Sequence, residues 1–312
     1  MPLDGTPPRA PGLTLVYGLK TDDASYLASF YPSRRLAEAS LGLDYHACVL
    51  PPWGDPHAVA NANAGRVVLA RGELDESALS ALSEMAAVLV NGIQPTMLAR
   101  DKWAAAAFFR SIGAAHPDTR LVPAGLREAP LPYPFVAKPR YGKMGRGVAL
   151  VDSAEAWSAY LDAAGGSDLV CQEAVASSFG RDLRFFFADF VEPRDAGWGP
   201  VPHPRRPDLA SVCVARTGPG FLSNAHAGGT MSKAEPTADL LAEAERIYDA
   251  SGLDYGTVDF LYGGGGSFVA CELNSCPGFE ELERATGLDA AGAILRTTAR
   301  TGMERTSGHA LL

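Results

Sequence analysis

The chain has 312 residues, of which 47% are apolar and 20% charged, so it can bury a real core and is not a disordered chain. Lys plus Arg number 27 against 36 Asp plus Glu, a formal net charge of −9, which argues against a general nucleic-acid or anionic-membrane binder but leaves room for a local basic pocket. Five cysteines (Cys48, Cys171, Cys213, Cys271 and Cys276) form no C-x-x-C pair and read as reduced thiols. No run approaches the ~20 apolar residues of a membrane span, and MPLDGTPPRAPG has no signal-peptide pattern. The expectation is a cytoplasmic protein with no membrane or nucleic-acid partner, a frayed start and a polar tail from Thr301 to Leu312.

In chain order, Leu13 to Gly18 is an apolar run ending in Gly and predicts a first buried strand. A helix is predicted from Ala24 to Leu41, then β-prone runs at Tyr45 to Leu50 and Arg66 to Ala70. Ser77 to Ala86 reads as helix and Ala87 to Val90 as strand, closed by Asn91-Gly92. Strands alternating with helices predict a parallel α/β unit. A second block opens with an Ala-rich helix over Asp101 to Gly113. Strands follow at Phe135 to Lys138, Gly147 to Val151 and Leu169 to Gln172, with a helix to about Ala164 opened by an Asp152-x-x-Glu155 capping box. The third block has strands at Leu183 to Phe190, Val212 to Arg216, Thr257 to Tyr262 and Phe268 to Leu273, and helices at Ala238 to Ala250 and Ala290 to Ala299. The resulting division is 1–95, 96–172, 173–300 and a tail at 301–312. The long aperiodic stretch from Val191 to Leu209 is either a functional loop or a mobile insertion.

Chemistry-bearing residues concentrate in the second and third blocks. Glu272 and Asn274 are two apart on a strand and share a face. If the hairpin folds symmetrically about Gly263 to Gly266, Asp259 sits opposite Ala270 and diagonal to Glu272. Two such acids repel unless a cation sits between them, and an all-oxygen donor set suits Mg²⁺. The alternative is that these acids face solvent. Lys138 is delivered by a strand into a loop bearing Gly142, Lys143, Gly145, Arg146 and Gly147, whose backbone N–H groups and cations suit phosphate; a solvated hairpin is the alternative. Gln172, Glu173 and the backbone near Val175 form either a purine-reading hinge or an ordinary edge strand. Asp182 and Arg184 share a strand face, with Arg184 able to grip a carboxylate or phosphate; a surface ion pair is the alternative. Ser223 to Thr230, with His226, follows the strand bearing Arg216 and could close over phosphates.

Taken together, these pieces resemble the ATP-grasp fold, and most closely the RimK-type carboxylate–amine ligases, over about Arg100 to Arg300. The strongest match is ELNSCPGFEELERATGLDAAG, Glu272 to Gly292, against that family's E-x-N-x-x-P-G ending. The resemblance implies an α/β fold with an N-terminal α/β domain and a nucleotide bound between two ATP-grasp lobes. It implies ATP phosphates on Lys102, Lys138 and the loop carrying Gly142, Lys143, Gly145 and Gly147. Adenine would meet Gln172, Glu173 and Val175, and ribose would meet Asp182. Arg216 and Asn224 would lie near the γ-phosphate and an acyl phosphate, and Arg184 would orient the carboxylate. Two Mg²⁺ ions, with Mn²⁺ as the alternative metal, would sit on Asp259, Glu272 and Asn274.

The implied activity is ATP-dependent amide or peptide bond formation between a small-molecule or peptide carboxylate and an amine, with release of ADP and phosphate. A ligase that tailors a peptide natural product or joins two amino acids, and a non-catalytic ATP-binding protein on the same scaffold, remain as alternatives. A homo-oligomer is an expectation by family analogy alone. Leu222 and Ala227 stand where relatives often carry Arg, and Val191 to Leu209 is expected to bring His203, Arg205 and Arg206 near the catalytic face. Cys276 is expected to be a packed thiol.

Overall fold

The computed structural model describes residues 12–123, 125–143, 145–194, 197–223 and 228–309. The chain divides into two compact units, one of residues up to Ile93 together with Ala290 onward, the other Gln94–Asp289.

In unit 1, β1 (Leu13–Gly18) is wholly buried and leads through α1 (Tyr26–Ser29) and α2 (Tyr31–Ala39) to β2 (Tyr45–Val49). Then come α3 (Pro56–Ala62), β3 (Val67–Gly72), α4 (Glu76–Met85) and β4 (Val88–Val90). The four strands are parallel in the order β2-β1-β3-β4. Runs such as LTLVYG and VLV, apolar without alternation, are what a parallel sheet covered on both faces requires. Right-handed crossovers in this order place α2 on one face and α3 with α4 on the other. The helix predicted as one piece from Ala24 to Leu41 is two, because Phe30 is extended (φ −74°, ψ 117°) and Pro32 starts a new first turn. Asn91 takes φ +68° after β4, the left-handed turn that Asn-Gly supplies.

In unit 2, α5 (Ile93–Arg100) runs into α6 (Lys102–Ser111). The smaller sheet has β5 (Thr119–Val122), β6 (Phe135–Pro139), β7 (Ala149–Val151) and, after α7 (Ala154–Ala164), β8 (Leu169–Glu173), antiparallel in the order β5-β8-β6-β7. Trp157 of α7 fills its core against Phe135, Val151, Leu169 and Cys171. The cap of α7 is Ser153, whose hydroxyl accepts from Ala156 N, and not Asp152. The strand expected from Gly147 begins at Ala149, because Gly147 turns at φ +70°.

The larger sheet is built from β9 (Arg181–Ala188), β10 (Val201–His203), β11 (Arg206–Thr217), β12 (Thr230–Lys233), β13 (Gly256–Tyr262) and β14 (Phe268–Asn274). Its order is β10-β11-β9-β13-β14, with β12 also on β11. Between β12 and β13 runs α8 (Ala238–Ser251), and α9 (Glu280–Thr286) follows β14. Phe109 of α6 and Leu240, Ala244, Ile247 and Tyr248 of α8 bury Leu183, Phe185, Phe187, Val258 and Phe260 on one face. Strand alternation leaves Asp182, Arg184 and Asp259 for the opposite face.

The last helix, α10 (Ala290–His309), belongs with unit 1, where it packs on α2, β3 and β4. Gly302 permits that approach, since a Cβ there would lie 2.5 Å from Val67 Cγ2. The polar tail expected from Thr301 is therefore helical to His309, and Thr301 itself is buried.

The Val191–Leu209 segment is also ordered by packing over its described residues. Trp198 is buried and donates to Cys213 O at 3.0 Å, and β10 pairs antiparallel with β11. His203 Nε2 (3.4 Å), Arg205 and Arg206 gather on Asp249 of α8, with Arg206 over the Tyr248 ring. They lie on the helix that covers the apolar face, not on the face that bears Asp182 and Asp259, which corrects the expected placement.

Candidate active site

The site face of the larger sheet is organised by cross-strand register. Arg216 of β11 is paired with Asp182 of β9, and Arg184 of β9 with Asp259 of β13. Opposite charges directly across antiparallel strands attract at short range. Arg216 Nε and Nη2 donate to Asp182 at 2.6 and 2.8 Å, and Nη2 also donates to Asp259 at 2.7 Å. Arg184 grips both oxygens of Asp259 at 2.8 and 2.7 Å. Ser223 donates its hydroxyl to Asp182. Burial alone would raise the Asp259 carboxyl, but Arg184 and Arg216 outweigh it and hold the group below its ordinary range.

The β13–β14 register differs from the symmetric hairpin expected. Asp259 faces Glu272 directly and Phe260 faces Ala270, which leaves Cys271 as the extra residue of a bulge. The bulge brings the two acids closer than a diagonal would. Asn274 is paired with Thr257 and donates its amide nitrogen to that hydroxyl at 3.3 Å, which turns the amide oxygen the other way. Glu272 is half-buried, with no side-chain hydrogen bond or ion pair among the described residues. Among those residues no three His, Cys, Asp or Glu side chains form a metal-holding group. Two carboxylates and one amide oxygen are instead the sparse, hard donor set that suits Mg²⁺ sharing its shell with phosphates and water, so these residues fit the ion by type; Glu272 is open to it, while Asp259, which accepts from Arg184 on both oxygens and from Arg216 on one, has about one acceptor position left.

A second group of cations lies on the smaller sheet and α6. Lys138, 8% exposed, donates to Gln172 Oε1 at 2.9 Å, and Gln172 Nε2 donates to Thr119 Oγ1 at 3.2 Å. The Gln172 amide thus faces Lys138, a placement that suits holding the lysine rather than meeting a base. Cys271 Sγ is 3.9 Å from the same Oε1, and burial pushes its thiol up to about 11. Lys102 donates to Gly142 O at 2.7 Å. Burial lowers its ammonium below the ordinary value, Glu272 opposes this, and Lys138 adds to it. Lys143 is exposed on the loop, Gly145 and Gly147 have positive φ, and Gly147 O accepts from Tyr160. Glu173 ends β8 with its backbone N bonded to Asp118 O, and Val175 precedes a short 3₁₀ turn at Ala176–Ser178. Asn224, expected near the γ-phosphate, and His226 lie outside the described residues.

The residue that sequence reasoning missed is Asp101. It caps α6 by accepting from Trp103 N (2.9 Å) and Ala104 N (3.2 Å). It also accepts from Arg140 Nε and Nη2 (3.0 and 2.6 Å) and Tyr141 OH (3.1 Å), so one carboxylate joins the start of the Gly-rich loop to the helix that carries Lys102. An acid immediately before an Ala-rich helix was the available signal; its partners, some 40 residues on, had none. Asp101→Ala is expected to weaken ATP binding at least about tenfold and to cost ~1 kcal/mol of stability from the lost cap. Calorimetric titration and thermal melts check the two effects separately.

The arrangement of these sheets is an ATP-grasp fold. The structure resembles D-cycloserine synthetase DcsG (TM-score 0.65, 19% identity, covering 93% of this chain and 99% of that one). It also resembles the D-alanine–D-alanine ligase of Bacillus anthracis (TM-score 0.66, 13% identity, covering 96% and 100%), for which an ATP complex is also a match. Residues 210–298 match the RimK-like ATP-grasp domain model, so the chain contains a RimK-like ATP-grasp domain. Probable alpha-L-glutamate ligases are similar to it in sequence. That of Alkalilimnicola ehrlichii is 34% identical over 180 residues (56% of this chain, 54% of the relative), and that of Ectopseudomonas mendocina 32% over 181 (56% and 54%). The match thus spans about half the length of these curated relatives. Among the described residues no helix is long and apolar enough to cross a membrane.

Proposed function

We propose that the protein is an ATP-dependent carboxylate–amine ligase that acts on an amino acid or a peptide. The observation that carries this reading is the pairing of two arginines, the buried Arg216 and the partly buried Arg184, around Asp259 directly across from Glu272. Anion-gripping forks and cation-gripping oxygens then share one patch, as transfer of a phosphoryl group to a carboxylate needs. Lys102, Lys138 and the Gly142–Gly147 backbone bind the phosphates. Arg184 orients the substrate carboxylate for in-line attack on the γ-phosphorus, and Arg216 offsets charge on the transferring group. The carboxylate oxygen–phosphorus bond forms as the bond to ADP breaks, giving an acyl phosphate. An amine then attacks the acyl carbon, phosphate leaves with the bonding pair, and the amine's proton passes to solvent. The Gly-rich loop excludes water that would otherwise hydrolyse the acyl phosphate. Mg²⁺ held by Asp259, Glu272 and Asn274 would supply neutralising charge at the phosphates.

The test is ADP release screened over amino acids and short peptides, glutamate first because of the names of the relatives, followed by mass measurement of the product. ATP binding with no ADP release for any acid and amine pair would favour a non-catalytic nucleotide-binding protein. Lys138→Ala is expected to weaken ATP binding at least about tenfold, ~1.4 kcal/mol, by calorimetry. Unchanged affinity would remove the phosphate role of that lysine.

A further inference from the structure

We propose that Tyr160 is the positioning residue that fastens the far end of the Gly-rich loop and so sets how its backbone meets phosphate; the phosphate part rests on the nucleotide-binding reading given above. Arg140 N donates to Asp168 O at 3.1 Å, on the β8 side of β6. Backbone groups of successive strand residues point to opposite sides, so Pro139 turns toward β7. The register that pairs Ala137 with Ala149 continues to place Pro139 opposite Gly147, and a Cβ on Gly147 would lie 2.9 Å from Pro139 Cγ. Proline has no N–H, so the ladder ends there and Gly147 O lacks the donor that any other residue at 139 would supply. Tyr160 of α7 takes that place: its hydroxyl donates to Gly147 O at 2.7 Å.

The donor is held by its own packing. Trp157, on the same face of α7, stacks on the Tyr160 ring with centroids 6.0 Å and planes 11° apart, and Trp157 Nε1 donates to Arg127 O at 3.0 Å. At the near end of the loop, Lys102 donates to Gly142 O at 2.7 Å. The loop is thus fastened at Gly142 and at Gly147 by side chains and not by ladder bonds. Holding the Gly147 carbonyl sets the plane of the peptide that follows it, and with it the turn in which Val148 N donates to Gly145 O at 3.2 Å. Phosphate then meets a loop whose return to the sheet is already ordered, which lowers the entropic cost of closing it.

Tyr160→Phe removes the donor and keeps the ring. Two measurements compare it with wild type: trypsin cleavage at the exposed Lys143 and Arg146 without nucleotide, followed by mass spectrometry, and calorimetric affinities with Mg²⁺ for ATP and for adenosine, the latter by displacement of ATP. Loop cleavage is expected to rise, and ATP affinity to fall, at least about threefold each, the worth of one hydrogen bond. Adenosine affinity is expected to stay within about twofold, and the melting temperature within about 2 °C. Pro139→Ala restores an N–H facing Gly147 O, so in that background Tyr160→Phe is expected to cost less than about twofold on both readouts. Unchanged loop cleavage in Tyr160→Phe, equal weakening of ATP and adenosine, or an undiminished effect beside Pro139→Ala overturns the proposal. Wild type that binds no ATP overturns the nucleotide reading and the phosphate role with it, while loop cleavage still decides whether Tyr160 fastens Gly147.

Discussion

Glu272→Gln is expected to lower ATP-dependent turnover at least about a hundredfold while the melting temperature stays within about 2 °C of wild type. The two halves of that expectation have separate causes. Glu272 is half-buried and makes no side-chain hydrogen bond or ion pair among the described residues, so removing its charge breaks no direct pairing of the fold. It nevertheless faces Asp259 across the β13–β14 ladder, where the proposed divalent cation would draw on its charge. A turnover assay across a Mg²⁺ series, with melts of the same samples, checks both halves. Near-normal turnover at ordinary Mg²⁺ would remove the metal assignment, and a large fall in melting temperature would show Glu272 to be structural.

Asp259→Ala is expected to behave oppositely with respect to stability. Asp259 is 2% exposed and is shared by Arg184 and Arg216. Removing one partner of a buried pair strands the other charge, at a cost of about 3–5 kcal/mol. For a unit of this size that lowers the melting temperature by roughly 10 °C. The same carboxyl sets an acid limit. Because Arg184 and Arg216 hold it below its ordinary value of 3.8 in the folded chain, the unfolded chain takes up its proton first as pH falls. Its contribution is fully present above the unfolded value and disappears as pH drops through the lower folded value. Melting curves from pH 6 down to about pH 3 are expected to show a steeper acid loss in wild type than in Asp259→Ala. Parallel curves would show that this carboxyl does not govern the acid limb.

Much of the architecture was readable because β1 and β4 of unit 1 are nearly continuous apolar runs, and because the third block spaces its polar site residues two apart. Asp182 with Arg184, and Glu272 with Asn274, share faces for that reason alone. What could not be read depended on partners distant in the chain. The direct meeting of Asp259 and Glu272 follows from the bulge at Cys271, and a Gly-rich turn carries no register information. β5, TRLV, is four residues long and becomes a strand only by pairing with β8. Arg205 and Arg206 looked like substrate-side cations because their acid, Asp249, lies some 40 residues later on α8. Asp152 offered a capping box, but Ser153 took the cap one residue on. Gln172 is suited by its neighbours Lys138 and Thr119, which come from β6 and β5, to hold a lysine.

The return of α10 to unit 1 bears on the order in which the chain can fold as it is synthesised. β3 and β4 leave the ribosome long before the helix that covers one of their flanks, and all of Gln94–Asp289 is made in between. Both sheets of that intervening stretch draw their strands and covering helices from within it, so it can close during elongation. Until Ala290–His309 emerges, Val67 and its neighbours have no such cover, and the nascent N-terminal strands must be kept from sticking to other chains.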